Sequence, residues 1–132
     1  MILLDTHVWV WWVNGDAALS PGERELLAAN EGTGLGVSII SCWEVAKKVE
    51  LGKLELDRDV GDWISGALAY PGIRLLDLTP GIIIESTRLP APFHRDPADQ
   101  LIVATSRALA IPIVTHDARL RAYPHVEKAA PG

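Results

Sequence analysis

Five acids in this chain sit where chemistry is easily built: Asp5, Glu44, Asp96, Asp99 and Asp117. Asp5 closes the apolar run Ile2-Leu3-Leu4. Glu44 follows Gly36-Val37-Ser38-Ile39-Ile40 after a short gap. Asp96 and Asp99 open the stretch that leads into Ile113-Val114, and Asp117 follows that run almost at once. Each acid thus falls where a strand ends or a helix begins. Carboxylates a few ångströms apart repel one another, and burial strengthens the repulsion. Helix N-termini offset part of it, and a hard divalent cation offsets far more. Mg²⁺ and Mn²⁺ prefer oxygen ligands, and no Cys/His grouping here has zinc spacing. A cation so held leaves positions for water and a phosphate, which is the logic of phosphodiester hydrolysis.

The elements that must position these acids alternate. Residues 2–4 read as a buried strand. Residues 6–13 read as a helix, apolar all round, ended by Asn14-Gly15. Ser20, Pro21 and Glu23 form a capping-box start. A second strand is expected at about 35–39. Ser41-Cys42-Trp43-Glu44 is a further capping-box pattern, and its helix runs to Leu51 with Gly52 beyond it. Residues 59–69 form an amphipathic helix with Val60, Trp63, Ile64 and Leu68 on one face. Residues 73–78 form the third strand, 80–89 a helix, 97–110 a helix and 112–115 the fourth strand. Pro90, Pro92 and Pro97 bracket a loop holding His94, Arg95 and Asp96. The last residues are expected to fray.

Strands alternating with helices imply an α/β fold with a parallel sheet covered on both faces. Right-handed crossovers start each post-strand helix at the carboxyl edge, where open α/β folds bind ligands. That geometry gathers Asp5, Glu44, Asp99 and Asp117.

The 132 residues suffice for one domain, 1–132, with a sizeable core. No apolar run reaches the roughly 18 residues of a membrane helix, and the start lacks the pattern of a signal peptide. A single cysteine, Cys42, excludes an internal disulfide and points to a reducing cytoplasm; Cys42 itself reads as inert and buried. The net charge of -5 argues against nucleic-acid binding through bulk charge.

Each acid also has a local explanation without chemistry. Asp5 can cap the first helix, Glu44 can answer Ser41, Asp96 can cap before Pro97 with Asp99 as its partner, and Asp117 can cap a short turn. Such caps contribute roughly 1 kcal/mol each. Capping does not explain why four of these starts should meet at one place.

At these residues the chain resembles a PIN-domain ribonuclease, specifically a VapC-type toxin of a toxin–antitoxin pair. The matching stretches are Leu3-Leu4-Asp5-Thr6-His7, Ser41 to Lys48 with Leu51-Gly52-Lys53-Leu54, His94 to Ala104, and Val114-Thr115-His116-Asp117. Together they span nearly the whole chain. The resemblance implies a PIN-like three-layer domain with a 3-2-1-4-5 parallel sheet and single-stranded RNA endonuclease activity with Mg²⁺ or Mn²⁺. It also implies a cognate VapB-type antitoxin and a homodimer. Asp5, Glu44 and Asp99 match the family's main acids and Asp117 the fourth, more variable one. All four are expected at the metal, with Asp5 and Asp99 the most direct ligands, and Asp96 reads as a cap. Ala98 and Ser106 depart mildly from the family pattern.

Thr6 and Thr115 are placed to bond a ligand water or carboxylate. His7 and His94 flank the site as proton-transfer or structural residues. His116 and His125 read as surface residues. Lys47 is the lysine expected to face Glu44, and Lys48 the solvated one. Arg95, Arg119 and Arg121 are candidates for an RNA path. Five tryptophans divide between core, protein interface and base stacking. Two other readings remain open at this point: a PIN-like module that binds RNA or protein without cutting, and a metal-dependent phosphatase. The phosphatase reading lacks its Asp-x-Asp nucleophile, because Asp5-Thr6-His7 stands there.

Overall fold

A computed structural model describes residues 1–131. The strands are β1 (Ile2–Leu4), β2 (Leu35–Ser38), β3 (Ile73–Leu76) and β4 (Ile113–Val114). The helices are α1 (Thr6–Asn14), α2 (Pro21–Ala29), α3 (Ile39–Glu50), α4 (Val60–Leu68), α5 (Pro80–Ser86), α6 (Pro97–Leu109) and α7 (Ala118–Ala122). The strands form one parallel sheet in the order β3-β2-β1-β4.

β1 is fully buried because helices cover both faces of the sheet. Its side chains alternate: Ile2 and Leu4 join Val8, Trp9, Leu35, Val37, Val45 and Trp63 on one side. Leu3 joins Ile102, Val103, Ile113, Leu120 and Tyr123 on the other. This period-two split of one strand between two cores is the three-layer architecture in miniature.

The sheet follows the expected order through its first four strands. The fifth is reduced to a single parallel bridge between Ile113 and Lys128, with Ile113 N–H donating to Glu127 O and Ala129 N–H to Ile113 O, both at 2.9 Å. β4 has only two residues, so it offers a fifth strand little length to pair with. The C-terminal segment is therefore tied to the sheet as far as Ala129; Gly132 lies outside the described residues.

Ser20 and Glu23 form the capping box that their spacing predicts. The second capping-box pattern is not used. Helix α3 begins at Ile39 and its cap is Ser38. Strand β2 therefore passes into helix without a loop. Ser41 lies inside the helix, buried, with its hydroxyl directed across to α1. No helix among the described residues is long and apolar enough to cross a membrane.

Two glycines give opposite expectations. Gly72 holds φ +80°, and a Cβ there would meet the Glu31 backbone at 2.8 Å. Gly66, within α4, has open space around it. Gly72→Ala should lose about 1–3 kcal/mol, whereas Gly66→Ala should gain roughly 0.5–1 kcal/mol from helix propensity. Urea denaturation of the two variants checks both signs.

Candidate active site

Asp5 sits between β1 and α1, only 3% exposed. Its Oδ1 accepts the Thr6 N–H at 2.8 Å, so it caps α1 as local chemistry predicts. Its Oδ2 accepts the Thr115 hydroxyl at 2.6 Å, from the end of β4 across 110 residues of sequence. Asp5 thus both caps a helix and belongs to a tertiary site.

Glu44 enters from α3. Its Oε1 accepts the Thr6 hydroxyl at 2.5 Å. With that proton committed, the Thr6 oxygen accepts from Ser41 at 2.8 Å. The unexpected early start of α3 turns Ser41 into a support for Thr6 and leaves Glu44 free of any capping duty. Burial pushes the Glu44 carboxyl above the ordinary glutamate range, and Asp5 and Asp99 push it further; Thr6 and Lys48 pull against them. Lys48 is therefore the lysine whose charge reaches Glu44. Lys47 turns away to Glu50, at 2.5 Å on the surface. The reading that assigned Lys47 to the acid is corrected by the helix phase: starting three residues earlier does not move it, but four residues past Glu44 lies on the same face and three lies toward solvent here.

Asp99 stands in the first turn of α6 and is 7% exposed. Burial raises its carboxyl pKa, as do Asp96 and Asp5, while His94 opposes them. His94 Nε2 lies 2.6 Å from Asp99 Oδ2, and Arg119 Nη2 reaches the same oxygen at 3.5 Å. Asp96 is the cap: its Oδ1 accepts from Ala98 N and Asp99 N at 2.9 and 3.2 Å.

Asp117 caps α7. Desolvation works to raise its pKa, but hydrogen bonds from Arg119 and from the Arg119 and Leu120 backbone outweigh it and leave the carboxyl lowered. Arg119 bridges Asp117 Oδ2, at 3.2 Å, to Asp99 Oδ2. The structure therefore brings Asp5, Glu44 and Asp99 into mutual electrostatic contact, with Asp117 at the rim.

The oxygens of Asp5, Glu44 and Asp99 form an all-oxygen donor set suited to a hard cation. Among the described residues no three His, Cys, Asp or Glu side chains already close on one point. Each carboxylate instead engages its own partner: Thr115 for Asp5, Thr6 for Glu44 and His94 for Asp99. A cavity of about 580 Å³ lined by Asn14, Glu55, Arg58 and Tyr70, among others, includes none of the four acids.

Sequence reasoning missed one network. His116, read as a surface residue, is half-buried, with Nε2 2.5 Å from Glu23 Oε2 and its ring edge-on to Trp11 at 4.9 Å. Its backbone N–H donates to His7 Nε2 at 2.9 Å. The His7 proton therefore sits on Nδ1, the atom 3.7 Å from Asp5 Oδ2. Burial is the main cause holding the His7 pKa down, against the pull of Asp5. Glu23 and His116 lie 93 residues apart, and Glu23 was already explained by its capping box, so no local signal paired them. His125 is exposed, as expected. Cys42 is half-buried with its thiol pKa raised by burial, in keeping with an inert thiol.

A raised carboxyl pKa means that the folded state binds a proton more readily than the unfolded chain. The cost of ionised Glu44 is absent below its unfolded pKa and appears as pH rises through its folded pKa. In chelator at neutral pH, Glu44→Gln should melt above the parent, and the difference should vanish near pH 4, roughly the unfolded glutamate value. Thr6→Val should raise the Glu44 pKa further, read by NMR titration of the carboxyl carbon.

Residues 2–126 match the family model for the PIN domain. Ribonuclease VapC22 of Mycobacterium tuberculosis is 33% identical over 124 residues, covering 94% of this chain and 92% of that protein. The fold also superposes on solved structures. VapBC2 from Rickettsia felis, bound to a DNA fragment from its promoter, gives a TM-score of 0.72 at 15% identity over 98% of both chains. DNA-bound VapBC from Salmonella typhimurium gives 0.70 at 18% identity, also over 98% of both. At such identities the structural likeness concerns the fold, whereas the family match and the VapC22 alignment carry the relationship: the chain belongs to the PIN-domain family.

Proposed function

We propose that this chain is a metal-dependent endoribonuclease that cleaves single-stranded RNA as the toxin of a VapBC-type pair. The observation that carries the reading is the convergence of Asp5, Glu44 and Asp99, from three separate segments, at one buried edge where two of their pKa values are raised. Proteins do not ordinarily bury carboxylates together without a compensating positive charge. Similarity to ribonuclease VapC22 supports the same reaction.

Asp5 and Asp99 would hold Mg²⁺ or Mn²⁺ most directly, and Glu44 and Asp117 directly or through water. Bound there, the cation supplies an activated water and neutralises phosphate charge. The chain's own residues do the rest. Thr115 and the Thr6 amide fix both Asp5 oxygens, so that carboxylate is oriented before anything binds. The Ser41–Thr6–Glu44 chain of hydroxyls aims Glu44 in the same way. His94 engages Asp99 at 2.6 Å and Arg119 holds a positive charge at the rim, 58% exposed, where an RNA phosphate would approach.

The solved structures that share the fold include a toxin–antitoxin complex from Klebsiella pneumoniae. By that likeness this chain would meet a cognate VapB-type antitoxin, and the resemblance to the VapC toxins implies a homodimer as well. A basic antitoxin residue would complement the acidic edge. The acids that a silent binding module would lack are all present here, so the non-cleaving alternative gains no support.

Asp5→Asn or Asp99→Asn should abolish cleavage of single-stranded RNA while circular dichroism shows the fold intact. An unchanged rate in either purified variant, contaminating nuclease excluded, overturns the proposal. Thr115→Val should leave cleavage measurable but slowed, by about tenfold if the lost hydroxyl counts as one hydrogen bond to a charged group, as read in kcat.

A further inference from the structure

Trp43 is 56% exposed, the most exposed large hydrophobic residue of the described chain. The other four tryptophans are buried or half-buried. Trp43 lies beside Glu44 on α3, and the two share a cavity of about 380 Å³ with Ile40, Asp96, Pro97 and Ala98. Glu44 thus lines both this cavity and the carboxylate cluster. The cavity lies between the first two turns of α3 and the start of α6, and it meets the clustered acids at Glu44.

We propose that this cavity is a subsite for one unpaired base of the RNA, stacked on Trp43, with the adjoining phosphate at the acids. The proposal rests on the ribonuclease reading above. An indole face stacks on any base, and an exposed one beside a reacting centre places that base next to the bond to be cut. The polar groups of the cavity suit a base better than a protein partner. The core of a protein interface is depleted of charge, yet this cavity carries Glu44 and Asp96. Both walls repel phosphate, so the base and not the backbone enters.

Asp96 adds selectivity. Its Oδ1 is committed to the α6 cap, and its Oδ2 takes no hydrogen bond among the described residues. A carboxylate oxygen accepts from the amino group of adenine, cytosine or guanine. Uracil has no amino group and presents carbonyl oxygens instead. The subsite should therefore favour an amino-bearing base over uracil.

The test uses the full chain with Mn²⁺ and short single-stranded RNAs on which the wild type first maps its cleavage bond. Trp43→Ala should raise KM about tenfold with kcat little changed, from the loss of one base stack, while Trp43→Phe keeps most of the affinity. An abasic nucleotide at a single position beside the bond should erase the difference between wild type and Trp43→Ala, as coupling in a double-mutant cycle requires. Asp96→Asn keeps a good helix cap and should shift preference at that position toward uracil. Equal rates for wild type and Trp43→Ala on every RNA overturn the subsite alone, as does a loss that persists in full on the abasic RNA. A Trp43→Ala defect that follows a change of oligomeric state in size exclusion, and recovers at higher protein concentration, also overturns it and makes the face a contact between copies. A wild type that cuts no RNA overturns the ribonuclease reading and the subsite with it.

Discussion

The repulsion among Asp5, Glu44 and Asp99 is the constraint around which the carboxyl edge of this sheet is built. Two of the three are nearly excluded from solvent, and each is placed by a different segment. Left alone, such a cluster would take up protons or spread apart. Hydroxyl and imidazole partners hold it in place: Thr115 on Asp5, Thr6 on Glu44, His94 on Asp99. The two hydroxyls are neutral. They orient the carboxylates without cancelling their charge, so the pKa values of Glu44 and Asp99 remain raised. Oriented and only partly compensated oxygen donors are what a divalent cation requires.

The fold serves this edge with little chain. β2 passes into α3 at Ser38 without a loop, and Asp5 is both the last residue after β1 and the cap of α1. Such direct transitions leave Asp5 and Glu44 little freedom, because each is tied to its strand with no intervening loop, whereas Asp99 is placed by the first turn of α6 and its Asp96 cap. The apolar faces behind them are equally committed. Ile2 and Leu4 are buried on one side of the sheet and Leu3 on the other, so a register slip would expose a core residue as well as displace Asp5.

Much of this was legible in the residues. The alternating elements, the Ser20–Glu23 box, the cap role of Asp96 and the gathering of Asp5, Glu44 and Asp99 all follow from local patterns plus the handedness of crossovers. What escaped the sequence depended on tertiary choice. Ser41-x-x-Glu44 has the spacing of a capping box, but Ser38 also caps well and lies at the end of the strand, so the helix starts there and Ser41 serves Thr6. His116 pairs with Glu23 through a distance in sequence that no local rule spans. Lys48 rather than Lys47 reaches Glu44 because helix phase, not proximity in sequence, decides facing. The fifth strand shrinks to one bridge because β4 is too short to template more.

The same account links the site to its surroundings. Arg119, although exposed, ties Asp117 to Asp99 and so places a positive charge at the rim beside a buried acid. Its hold on both carboxylates is the contact that a phosphate or a partner's charge would exchange. The central claim is that the clustered acids are a cation site and not a set of helix caps. The most direct measurement is the thermal midpoint of the wild type, Asp5→Asn and Asp99→Asn as Mn²⁺ replaces chelator. A ligand that binds only the folded state raises the midpoint progressively with its concentration. The account predicts such a rise in the wild type and its loss in both variants. A wild type unmoved at millimolar Mn²⁺, or variants that rise equally, would contradict it.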